Sequence, residues 1–198
     1  MKCILGKKLG MTTLFDAEKG ALNVTLIACD TNTIKLQRTA EKDGYIAVQV
    51  ETKKTKNKQE FHEFRFDKAL GKDLGTKELE KFTTGTTLTI TQFAVGDRVS
   101  VAGITKSKGF QGVVKRHGFH GQMTSHGRKH DIRKPGSIGA TFPEHVIKGR
   151  RMAGRMGGVR QMTKNLQVVY VNEAESILGL RGAVPGVNGR VVEIVSLA

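Results

Sequence analysis

Apolar positions along this 198-residue chain come in short runs, not in long helical stripes. Lys2–Leu5, Thr12–Phe15, Asn23–Ala28, Thr33–Arg38, Tyr45–Thr52, Thr86–Thr91 and Arg98–Ile104 are rich in β-branched residues and bounded by Gly, Asn or Asp. Leu166–Val171, Ser176–Leu180 and Arg190–Val195 continue the pattern near the other end. Such residues suit a pleated, half-buried surface, so each run predicts a strand. Many evenly spaced strands with turn signals predict a closed barrel; a βαβ array would need repeated long amphipathic helices. The one helical pattern, Asp67–Phe82 with Leu70, Leu74, Leu79 and Phe82 as apolar points, is interrupted by Gly71 and Gly75. Lys53–Lys58 reads as an exposed hairpin tip. Ala183–Gly189, with its Pro185-Gly186 and Asn188-Gly189 pairs, reads as a tight reversal between the last two strands.

Between residues 105 and 160 the pattern stops. Phe110, Val113, Val114, Phe119, Ile132, Ile138, Phe142, Val146 and Ile147 come singly or in pairs between glycines and cations, with neither a 3.6 nor a 2.0 period. Alone, this stretch lacks the apolar burial to offset a backbone ordering cost of ~1–2 kcal/mol per residue. It predicts an extended arm with short turns, ordered mainly by a partner and pulled out of the barrel as a loop held at both ends. The domain division that follows is residues 1–104 with 161–198 as one discontinuous barrel, and 105–160 as a basic extension.

Charge sharpens that division. The arm holds 13 Lys or Arg against two acids, Asp131 and Glu144, a net +11 of the chain's +15. Residues 1–104 carry +4 (17 basic, 13 acidic) and residues 161–198 carry zero, three of each. No acid occurs from Arg98 to His130, nor from His145 to Asn172, whereas a solvated face usually interleaves both signs. The arm takes seven of the twelve arginines but only six of the 21 lysines. The planar arginine fork matches phosphate oxygens and stacks on bases, so the bias points to close contact with folded nucleic acid. Eleven of the 24 glycines also lie here, and they let backbone approach a crowded surface.

Other chemistry finds little support. Cys3 and Cys29 are the only cysteines; both fall in apolar runs, where a thiol acts as a small core residue. The first residues lack the apolar region of a signal peptide, and no apolar run approaches the ~20 residues of a membrane span. Cytoplasmic location without membrane attachment is the expectation. The pairs His117/His120 and His126/His130, with His145, have permissible zinc spacings. However, no arm cysteine joins them and the surrounding cations repel a dication. Hydrogen bonding of His117, His120 and His130 to RNA is the reading adopted, with no metal and no cofactor. Gly149–Gly154 lacks Walker and Rossmann spacing, no G-x-S-x-G elbow occurs, and Asp131 and Glu144 stand alone. No catalytic residue, enzyme activity or small-molecule substrate is expected.

Met1-Lys-Cys-Ile-Leu-Gly-Lys-Lys-Leu-Gly-Met-Thr12 resembles the opening of the bacterial large-subunit ribosomal protein L-three family. Ser107-Lys-Gly-Phe-Gln-Gly-Val-Val-Lys-Arg116, Pro135-Gly-Ser-Ile-Gly139, Lys148-Gly-Arg-Arg-Met-Ala-Gly-Arg-Met-Gly157 and Gly182-Ala-Val-Pro-Gly186 resemble it too, in the right order. The match is weakest over residues 52–82. The resemblance implies a mainly-β chain, with a barrel of the kind found in translation factors on the subunit surface and a basic extension inserted between strands. It further implies a primary rRNA-binding protein of the bacterial ribosome that nucleates assembly near the 3′ end of the large rRNA. Neighbouring large-subunit proteins would be its other partners, and it would not be a homo-oligomer.

Carried over by motif, Lys106, Lys108, Lys115, Arg116, Arg128, Lys129, Arg133 and Lys134 would contact rRNA from the outgoing part of the arm. Lys148, Arg150, Arg151, Arg155 and Arg160 would do so on the return. Gly136, Ser137, Ile138, Gly139, Ala140, Thr141, Phe142 and Pro143 would form the tip nearest the peptidyl transferase centre. Some relatives carry a methylated glutamine just after Gly-Ser-Ile-Gly. This chain has Ala140-Thr141-Phe142-Pro143 there and no glutamine, so that modification is expected to be absent. Two alternatives stay open from the sequence: an RNA-modifying enzyme built on the barrel, and a barrel that visits the ribosome transiently like a translation factor.

Overall fold

The computed structural model describes residues 1–198 apart from 19, 56, 67–71 and 197–198, and leaves the side chains of 54 and 72–74 undescribed. Two compact units result: Met1–Thr105 with Arg160–Ala198, and Lys106–Val159.

The first unit is mainly β, as the apolar runs predict. Six strands close a barrel in the order β1 (Lys2–Asp16), β12 (Val191–Ser196), β7 (Arg98–Ile104), β10 (Arg160–Asn172), β11 (Ile177–Arg181) and β2 (Gly20–Ala28). Every pairing is antiparallel. Side-chain alternation does the sorting. In β1, Ile4 points into the barrel with Ile27, Val101, Leu178, Leu180, Val192 and Ile194, while Cys3 and Leu5 point outward. Those outward residues are buried all the same, which explains the unbroken apolar run Cys3–Leu5.

What covers them is a second sheet that the sequence does not announce. β3 (Asn32–Arg38), β4 (Ala47–Thr55), β5 (Lys58–Arg65) and β6 (Thr87–Leu88) pair in the order β5-β4-β3-β6. Their inner face brings Ile34, Val48, Val50 and Phe64 onto Cys3, Leu5 and Val191, with Phe66 and Phe82 packed at 5.3 Å between ring centroids. Thus the runs Thr33–Arg38, Tyr45–Thr52 and Thr86–Thr91 leave the barrel for this layer. Only Thr87–Leu88 of the last run is strand. The 3₁₀ turn Ile90–Gln92 follows, and Ile90 and Phe93 return to the barrel core.

Helix is sparse. The first helix, α1 (Ala40–Asp43), is one turn closed by Gly44 at φ 76°. The second, α2 (Lys72–Leu79), lies inside the predicted helical stretch, and Leu79 and Phe82 join the second core. Leu70 and Gly71 of that pattern, and the side chain of Leu74, lie outside the described residues.

Cys3 and Cys29 are buried, and burial pushes both thiols up to about 12, which suits inert core residues. Lys8 is buried as well: its ammonium donates to the carbonyls of Val184 at 2.8 Å and Gly186 at 3.3 Å, fixing the predicted 183–189 turn to β1.

One polar junction joins the layers. Glu193 of β12 accepts from His62 Nδ1 of β5 at 3.1 Å and from both Nε and Nη2 of Arg160. The hydrogen bond to Glu193 raises the His62 imidazole above its ordinary value, against the opposing effect of burial. Burial pushes the Glu193 carboxyl up, but the bonds from His62 and Arg160 outweigh it and hold it lower than usual. The raised His62 stabilises the fold fully below about pH 6.5 and loses that contribution as pH rises through its folded value. The lowered Glu193 contributes above about pH 4.5 and loses it on acidification. Thermal melts of the chain are therefore expected to lose stability from pH 6.5 upward, and His62→Gln to flatten that limb. A wild-type limb that rises, or a variant that keeps the same fall, contradicts the linkage.

Candidate nucleic-acid interface

The second unit, Lys106–Val159, contributes no residue to either hydrophobic core. Its one fully buried apolar side chain is Val113. From Gln122 to Met152 every described residue but the half-buried Ile132 is exposed. The irregular placement of apolar residues has this direct result, since no face collects enough of them to fold against.

Order comes from backbone instead. At the root, β8 (Phe110–Gln111) pairs with β9 (Gly154–Arg155). Lys108 N–H donates to the Met156 carbonyl and Met156 N–H to the Gly109 carbonyl, both at 2.9 Å. Outgoing and returning chains then touch: a Cβ on Gly157 (φ 73°) would sit 2.0 Å from the Lys106 carbonyl oxygen. Only glycine allows both that conformation and that approach. Next comes α3 (Val113–His117), whose Arg116 Nη1 donates to the Met152 carbonyl at 2.6 Å. His117 Nε2 lies 3.0 Å from the same oxygen. Farther out, Gln122 N–H donates to the Ile132 carbonyl at 2.9 Å. Across residues 137–150 Arg150 Nη2 donates to the Ser137 carbonyl at 2.9 Å, Ser137 Oγ to the Gly139 carbonyl at 2.7 Å, and His145 Nδ1 lies 2.8 Å from the Pro143 carbonyl.

The residues expected to bind rRNA therefore fall into two groups. Arg116, His117 and Arg150 grip the arm's own backbone, and Arg128 bonds the Gln122 side chain. Lys134 pairs with Asp131 at 2.8 Å, and that hydrogen bond holds the Asp131 carboxyl lower than usual, so one of the arm's two acids is already neutralised within it. Lys106, Lys108, Lys115, His120, Lys129, His130, Arg133, Lys148, Arg151 and Arg155 are exposed and make no side-chain hydrogen bond or ion pair among the described residues. Arg160 stands apart: it belongs to β10 in the first unit and forks onto Glu193. Residues 136–143, the expected tip, are all exposed, with Phe142 at 78%.

Sequence reasoning did not foresee the Met152 and Ser137 carbonyls as internal acceptors. Nothing in a linear pattern marks a backbone oxygen as the partner of an arginine 36 or 13 residues away. Among the described residues no three His, Cys, Asp or Glu side chains gather to hold a metal ion, and no helix is long and apolar enough to cross a membrane.

A closed antiparallel barrel joined to an inserted unit that is polycationic and lacks a core defines a class of small β-barrel proteins with a basic insertion. Within that class the chain belongs to the ribosomal protein L3 family, whose model matches residues 4–179. It is 44% identical to the large ribosomal subunit protein uL3 of Pseudarthrobacter chlorophenolicus, over 97% of this chain and 93% of the relative. The proteins of that name from Acidothermus cellulolyticus (41%, covering 100% and 93%) and Shouchella clausii (36%, covering 98% and 97%) are similar throughout as well.

Proposed function

We propose that the chain is a structural constituent of the large ribosomal subunit, anchored by its arm in rRNA and performing no chemistry of its own. The observation that carries this reading is the set of exposed, unpartnered arm cations on a segment without a core. Polyanionic rRNA supplies both the charge and the packing that the arm lacks. Neighbouring large-subunit proteins are its other partners. The same reading has the chain bind early, near the 3′ end of the large rRNA, and nucleate subunit assembly. The tip, Gly136–Pro143, approaches the peptidyl transferase centre, with Arg150 shaping it through Ser137 and the free cations meeting phosphates along the way.

The test is the salt dependence of binding to an isolated rRNA fragment. Each phosphate contact contributes roughly 0.7–0.9 to the slope of log K against log salt. Arg150→Ala with Arg151→Ala is expected to weaken binding and reduce that slope by about one to two. Arg151→Ala alone is expected to lower it by about one, because its side chain has no internal role. An unchanged slope in the double variant refutes phosphate contact by these residues.

A further inference from the structure

The two-stranded ribbon at the root of the arm, β8 with β9, has two unlike faces. Register sets them: Phe110 stands opposite Arg155, and Gln111 opposite Gly154. Directly opposed residues of an antiparallel pair project to one side, and the next pair projects to the other. The side of Gln111 and Gly154 is filled from within the arm. Arg116 lies over Gly154, where a Cβ would come 2.9 Å from its Nη1, and is fixed there by the Met152 carbonyl at 2.6 Å. The Gln111 side-chain amide turns back onto the Lys108 carbonyl.

The side of Phe110 and Arg155 is open. Phe110 is 77% exposed on a paired strand, and its ring makes no aromatic or cation–π contact among the described residues. Phe142, the arm's other highly exposed ring, stands on no paired strand. Arg155 is held in place without being neutralised. Its Nη2 rests against Gly158 (φ 67°), 2.7 Å from where a Cβ would stand, with Ser107 Oγ equally close to that point. No acid occurs from Arg98 to His130 or from His145 to Asn172, so neither strand of the ribbon brings a carboxylate to it. A fixed guanidinium and a bare ring on one face match the two parts of a nucleotide: a phosphate, and a base with a π-face.

We propose that this face clasps one unpaired nucleotide of the rRNA, its base stacked on Phe110 and a phosphate forked by Arg155. Bases splayed from loops and bulges are the parts of RNA that proteins stack on aromatic rings. The inference rests on the reading of the arm as an rRNA binder, and adds a stacked base to an arm otherwise read as meeting phosphates. An apolar side chain of a neighbouring protein is the competing occupant.

Affinity of the full chain for the isolated rRNA fragment, measured across salt concentrations, tests both halves. Phe110→Ala is expected to weaken binding roughly tenfold with the salt slope unchanged, because stacking releases no counterion. Phe110→Trp is expected to bind like the parent and Phe110→Leu like the alanine variant, since leucine is apolar without a flat face. Arg155→Ala is expected to lower the slope by about one. Folding is safe in all four, because neither residue belongs to a core. Parent-like binding by Phe110→Ala or Phe110→Leu overturns the stacked base, and an unmoved slope in Arg155→Ala overturns the forked phosphate. Either failure leaves the arm reading standing so long as Arg151→Ala still lowers the slope; if it does not, both fall. In assembled large subunits, Phe110→p-benzoylphenylalanine is expected to capture rRNA on irradiation. Capture of protein instead overturns the proposal.

Discussion

A chain whose residues 107–158 are replaced by a short Gly-containing turn is expected to fold normally and to lose roughly 10³-fold or more in rRNA affinity at physiological salt. Folding survives because both cores lie in the first unit and take nothing from the excised segment. Closure is simple because Ile104 and Arg160 are directly paired partners in an antiparallel ladder, so the cut ends already lie one strand apart. Binding is lost because the arm carries 13 of the chain's 33 Lys and Arg against only two acids, and every one of these cations except Arg160 lies within or beside the cut. Six or more phosphate contacts account for about three orders of magnitude or more at moderate salt. Melting temperature and fragment affinity, measured on the same preparation, check both halves. An arm-less chain that binds as tightly as the full one contradicts the account.

Phe66→Ala is expected to destabilise the barrel along with the second sheet, against whose core the ring packs. The ring is fully buried against Phe82, and deleting such a side chain costs about 3–5 kcal/mol. For a domain of this size that lowers the melting temperature by roughly 10 °C. The two cores are linked through shared strands. β1 gives Ile4 to one and Cys3 and Leu5 to the other, while β12 gives Val192 and Ile194 to one and Val191 to the other. Unfolding is therefore expected to remain a single transition. A two-step melt, with the barrel signal unmoved, contradicts that coupling.

How much of this was legible beforehand depended on whether a residue's role is local. Strands whose apolar residues line up on one face, such as Arg98–Ile104, were readable from composition alone. β5 was not: its only apolar residues, Phe61 and Phe64, point to opposite faces, Phe64 buried and Phe61 46% exposed, so no alternation emerges. The division of strands between barrel and second sheet was hidden for another reason. A run buried on both faces, like Cys3–Leu5, looks the same whichever layers enclose it. The arm was legible as charge without period, which is a statement about what cannot fold alone. Which of its arginines turn inward was not, because Arg116 and Arg150 take backbone carbonyls as partners, and every residue has one of those.

The arm as anchor is the centre of this account, and co-sedimentation with large subunits tests it most directly. Full-length and arm-less chains are added to subunits lacking the protein, which are then pelleted after a high-salt wash. The account predicts one full-length copy retained per subunit and the arm-less chain left in the supernatant. Release of the full chain by the wash, or equal retention of the two, would contradict it.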